Sequence, residues 1–224
     1  GIWINNDIGI LKELRLKPGS TTVLNTGYLI LKSDKSNTAN VAEIPSNSTI
    51  TYHSGRFVVE RFINTGLAVD GAHGKSWQFL STPAFGETVR FTWQENKSAL
   101  ANYGTIITNN DLTNWSSQGF DAYSAGGPSM KTFEPVTNSW IGIPNTGINL
   151  ENRNGYMLFV RGDRTVTGSG QNAKPTILRT IGKLHAPHDG FQAKSISVMP
   201  GRYESIGNPF ASRIDMEYMF DNEM

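Results

Sequence analysis

The sequence predicts an all-β protein, and three observations predict it. Apolar and polar residues alternate over runs of four to six positions, the period-2 signature of strands. Turn-forming residues interrupt that alternation about every 8–12 residues. No long stretch carries the i, i+3, i+4 spacing of an amphipathic helix. The composition agrees, because 23 Gly and 10 Pro among many Ser, Thr and Asn suit short strands joined by turns.

Residues 1–54 are predicted as an N-terminal segment of stacked or meandering strands. Short apolar runs at Ile8–Leu11, Leu14–Leu16, Thr22–Leu24 and Tyr28–Leu31 are broken by Pro18-Gly19 and Asn25-Thr26-Gly27. Val41–Ile44 and Ile50–Tyr52 continue the series. Such spacing suits a meander and equally the successive rungs of a β-solenoid, and both stay open. Residues 55–224 are predicted as a β-sandwich or jelly-roll-like domain, the change of texture falling near residues 52–56. Arg56–Ile63 opens it as the clearest strand, and Ser76–Leu80 follows a Gly-rich loop. Further strands are expected at Thr105–Thr108, Phe120–Tyr123, Met130–Phe133 and Ser139–Ile143. Gly155–Arg161, nearly all apolar, reads as a central strand buried on both faces. Thr176–Ile181 and Phe191–Met199 alternate again, and Ala211–Tyr218 has periodicity for one or two helical turns.

Charge and cysteine usage narrow the function. Twenty Lys and Arg against 19 Asp and Glu leave a net charge of +1, which argues against a nucleic-acid partner. Cysteine is absent, so disulfides, thiolate chemistry and Cys-ligated metals are excluded. No apolar run approaches the ~20 residues of a membrane helix, so direct membrane insertion is not expected. The sequence opens in what reads as mid-strand, with no signal peptide, and is expected to be a piece of a longer protein.

No catalytic residue emerges. There is no Gly-x-Ser-x-Gly elbow and no dinucleotide loop. Arg161-Gly162-Asp163 spells an adhesion tripeptide but reads as a tight turn after a buried strand. His185, His188 and Asp189 form the one cluster that could offer two imidazoles and a carboxylate, yet their spacing matches no established zinc site. Neither metal nor cofactor is therefore expected. Loop carboxylates such as Glu60, Glu87, Glu95, Glu134, Asp163 and Glu204 leave one alternative open, a polysaccharide hydrolase using two of them across a cleft.

Aromatic residues give the ligand expectation. Sugar faces pack on exposed rings while amides and carboxylates bind hydroxyls. The loops of residues 93–125 combine Tyr103, Trp115 and Tyr123 with Asp111 and Asn114. Trp115 reads as the best exposed ring, whereas Trp77, Trp93 and Trp140 sit in strand contexts and read as core.

Several blocks in order resemble modules of very large secreted and cell-surface proteins of Bacteroidetes. They are Val59–Ile63, Lys75–Pro83, Trp93–Glu95, Tyr103–Thr108, Gly119–Asp121, Pro128–Phe133, Gly155–Arg164 and Ser205–Asp215. The resemblance covers about three quarters of the chain, and the rungs from Leu24 to Ile50 look like the repetitive segment before such a module. It implies an adhesin-like, exported protein, often carrying a type IX secretion sorting domain, at the bacterial surface. It brings no catalytic residues. The expectation is a non-catalytic structural or adhesive module, flanked by other domains of the same polypeptide, with a polysaccharide or surface glycan as its small-ligand partner.

Overall fold

A computed structural model describes residues 1–98, 100–111, 113–124, 126–151, 153–186 and 198–221. The all-β expectation holds. The strands are β1 (Ile2–Ile4), β2 (Ile8–Ile10), β3 (Glu13–Leu14), β4 (Thr21–Leu24), β5 (Leu29–Leu31), β6 (Asn40–Val41) and β7 (Thr49–Tyr52). They continue with β8 (Phe57–Ile63), β9 (Ser76–Leu80), β10 (Ala84–Phe85), β11 (Met130–Glu134), β12 (Ser139–Gly142), β13 (Tyr156–Val160) and β14 (Thr176–Leu184). Among the described residues one short α-helix, α1 (Met216–Asp221), follows. Among the described residues no helix is long and apolar enough to cross a membrane.

The first strands pair in parallel, tier upon tier. Ile2 lies beside Thr22 and Thr22 beside Ile50, while Ile8 lies beside Leu29 and Leu29 beside Phe57. A meander would pair neighbours antiparallel, whereas these strands pair in parallel with strands further along the chain. Its corners are built for close approach. A Cβ on Gly27 would stand 2.3 Å from the Asn6 carbonyl oxygen, and one on Gly55 would stand 2.4 Å from the Gly27 carbonyl oxygen. Polar side chains stack with the backbone: Asn25 Nδ2 donates to Asn5 Oδ1 at 2.8 Å, and Asn25 Oδ1 meets His53 Nδ1 at 3.0 Å. Inside, Leu24, Leu29, Leu31 and Phe57 form a core with Ala84, Leu184 and Ala186.

β8 joins the two parts. It pairs in parallel with β5 and antiparallel with β14, giving one sheet in the order β10-β14-β8-β5-β2. That sheet runs across residues 54 and 55. A second, antiparallel sheet has the order β12-β11-β13-β9. Ile63 and Leu178 of the first sheet meet Met130, Tyr156, Leu158 and Val160 of the second in one buried cluster with Trp93 and Phe120.

Residues 105–108 and 120–123 are not strands, contrary to the alternation. Their backbone bonds go to side chains and irregular partners instead: Ile107 N donates to Asp121 Oδ2, and Thr108 N donates to Ser129 Oγ. Buried polar backbone needs a partner but not a ladder. Of the strand expected at Phe191–Met199, residues 191–197 lie outside the described residues.

Candidate functional site: an aromatic sheet face

In an antiparallel sheet with one packed face, the other face normally carries polar residues. The sheet of β9, β13, β11 and β12 departs from this. Alternation sends Tyr156, Leu158 and Val160 inward, where all three are buried. It sends Met157 and Phe159 outward, beside Phe79 and Trp77 of β9 and Lys131 of β11. On β11 and β12, Phe133 stands opposite Trp140.

The outward rings touch one another. Trp77 lies 5.3 Å from Phe159, Phe79 lies 5.7 Å from Trp140, and Trp140 lies 5.4 Å from Phe133, centroid to centroid. All three pairs are tilted or edge-on, the geometry ring quadrupoles favour. Phe79 is 72% exposed and Trp77 38% exposed, while Phe133, Trp140 and Phe159 are partly buried by their neighbours.

Cations brace the array. Arg161 places its guanidinium carbon 4.3 Å from the Tyr123 ring centre and 5.0 Å from that of Phe159. Burial lowers its pKa from the ordinary arginine value, an effect opposed by Tyr123. Lys131 holds its ammonium 5.0 Å from the Trp77 ring centre. Lys75 donates to the Ser169 carbonyl oxygen at 2.9 Å and to the Tyr123 hydroxyl at 3.4 Å.

The ring and polar residues the sequence singled out for a glycan occupy three different settings. Tyr123 borders the aromatic face through Arg161. Tyr103 lies under the Arg179 guanidinium, 3.8 Å from its ring centre. Asp111, Asn114 and Trp115 form their own turn. The Asp111 carboxylate accepts from the backbone N–H of Thr113 and Asn114 and from Asn114 Nδ2, which lowers its pKa. Trp115 is partly buried against the core. His185 stacks on Phe85 at 5.0 Å, and burial lowers its pKa. His188 and Asp189 lie outside the described residues. Among the described residues no three or more His, Asp and Glu side chains converge as a metal site would require.

Trp77 and Trp140, read as core, belong to the outer face. The alternation of Trp77 and Phe79, and of Lys131 and Phe133, was visible. An aromatic period-2 pattern looks identical whether its face meets a core or solvent.

Several charged residues elsewhere are engaged internally. Glu60 accepts from Arg179, Lys32 and the Ser33 backbone N–H, and Arg179 also donates to Glu95 at 2.9 Å. Burial raises the Glu95 pKa, opposed by Arg179. Glu95, Asn96 and Lys97 all have positive φ, a strained run for non-glycine residues. Glu60 and Glu95 thus share one guanidinium in a network that is nearly closed to solvent. The Arg161-Gly162-Asp163 tripeptide is buried, and Asp163 accepts from the backbone N–H of Asn102 and Thr165. A cleft of about 730 Å³ opens between β8 and the edge strand β9, with Glu60 and Phe210 among its walls.

Comparison with family models, curated proteins and solved structures finds no match for this chain.

Proposed function

We propose that the chain is a non-catalytic module of an exported, cell-surface protein, and that its outer aromatic sheet face holds polysaccharide. One observation carries this reading: Trp77, Phe79, Phe133, Trp140 and Phe159 share the face of a sheet that would ordinarily be polar. Exposed apolar patches rimmed by polar groups mark interaction sites. The C–H faces of pyranose rings pack on indole and phenyl surfaces, while side-chain donors at the rim take hydroxyls. Regular strands fix these rings more firmly than loops would, so little order has to be created on binding. The ordered sequence blocks support the exported, adhesive setting. The site thereby moves from the loops of residues 93–125 to the strands beside them, with Tyr123 at the border.

Affinity electrophoresis through gels containing plant and bacterial polysaccharides tests the reading. Retardation by at least one polymer is expected, and Phe79→Ala should abolish it. Phe79 is mostly exposed, so that variant should keep its stability within about 0.5 kcal/mol. Retardation by none of the polymers, or unchanged retardation of Phe79→Ala, would remove the proposal.

A further inference from the structure

The charges on this face identify the kind of polymer, an inference that rests on the glycan reading above. We infer that the face takes an anionic, uronic-acid-containing polysaccharide rather than a neutral one.

The first reason is which charges are present. Lys75, Lys131 and Arg161 border or stand on the outer face, and none of the outward positions of β9, β11, β12 and β13 is Asp or Glu. The whole chain is nearly neutral, with 20 basic and 19 acidic residues, so this local excess is not a reflection of composition.

The second reason is how these cations are partnered. Buried cations elsewhere have carboxylates: Arg164 pairs with Asp121, and Arg179 pairs with Glu60 and Glu95. The described contacts of Lys75, Lys131 and Arg161 are with rings and neutral oxygens, and no described carboxylate forms a salt bridge with any of them. Lys75 and Lys131, both partly exposed, are positive charges left for an anion from outside, while the buried Arg161 adds to the positive field behind them.

The third reason is the position of Lys131. Its ammonium lies over Trp77, the ring a sugar would need. A neutral sugar has to displace that ammonium and forfeits its cation–π contact. A uronate displaces it too, but offers its carboxylate in return. An equatorial carboxylate lies roughly in the plane of the sugar ring, so the ring's C–H face stays free to stack. Stacking and ion pairing then add instead of competing.

Charge density argues against single-stranded nucleic acid, the other polymer that uses stacking platforms. Nucleic acid brings a phosphate about every 3.4 Å along a strand. Here one of three cations, Arg161, is buried between two rings and cannot follow a backbone.

The test compares polygalacturonate with a neutral mannan in affinity gels at two salt concentrations, with dextran sulfate and oligo(dT) as further arms. Wild-type protein should bind polygalacturonate at least about tenfold more tightly than mannan, a difference near 1.4 kcal/mol. That margin should shrink as salt screens the charges. The double variant Lys75→Gln/Lys131→Gln should lose the preference for polygalacturonate while keeping the wild-type melting temperature. Equal binding of both polymers, or an unchanged preference in the double variant, would overturn the inference and leave the glycan reading standing. Absence of binding to either would overturn the inference, and retardation by no polymer of the wider panel would overturn the glycan reading with it. Dextran sulfate or oligo(dT) bound as tightly as polygalacturonate would show a general polyanion surface and also overturn it.

Discussion

Arg164 shows how single residues hold the domain's irregular half together. Its guanidinium makes two bonds of 2.9 Å to the Asp121 carboxylate, and it also donates to the carbonyl oxygens of Thr105 and Ser98. Asp121 in turn accepts from the Ile107 backbone N–H and from Gln94 Nε2. These bonds replace the strand ladders that residues 105–108 and 120–123 lack. Removing one partner of a buried pair strands the other charge, which costs about 3–5 kcal/mol. Arg164→Met should therefore lose stability of that order in urea titration, and Asp121→Asn on top of it should restore part. A loss below about 1 kcal/mol would mean that the pair is not what orders these segments. The sequence shows Arg164 but not its partner Asp121, 43 residues away, because nothing local ties the two.

At the scale of elements, the stack depends on corners that have room for hydrogen only. Gly55 follows Gly27 by one tier, and each faces backbone of the tier before it. A methyl group at either position meets carbonyl oxygen, which cannot swing aside as a side chain can. Gly55→Ala should cost about 1–3 kcal/mol through overpacking, read as a lowered melting temperature. Gly74→Ala is the control, since a Cβ there meets nothing within 4 Å. Equal stability of the two variants would contradict the tight corner. Turn-formers and short apolar runs made the tiers' existence legible in the sequence. Parallel pairing was not legible, because residues 20 to 28 positions apart must meet and no local pattern encodes that partnership. The outer aromatic face was hidden for a related reason: alternation separates two faces without saying which is covered.

Over the whole molecule, the change of texture near residues 52–56 marks a change of pairing rather than a gap in the core. β8 carries both kinds of contact. Phe57 is packed among Leu29, Leu31 and Ile50, while Ile63 at its far end joins Leu178 and Tyr156. The core of the stack also draws in Ala84, Leu184 and Ala186 from the later chain. Separating the two parts would therefore strip β8 of its β5 partner and expose Phe57 and Leu184, which are 0% and 3% exposed in the intact chain. Burial of one such side chain stabilises by about 1.5–3 kcal/mol, and domains as a whole are stable by only about 5–15 kcal/mol. Neither part can then melt without taking much of the other's margin. Scanning calorimetry of the full chain should show one transition whose calorimetric and van't Hoff enthalpies agree. Gly55→Ala in the stack and Arg164→Met beyond it should both move that same transition. Two resolved transitions, each shifted by only one of the variants, would show instead that the stack and the later sheets unfold independently despite the strand they share.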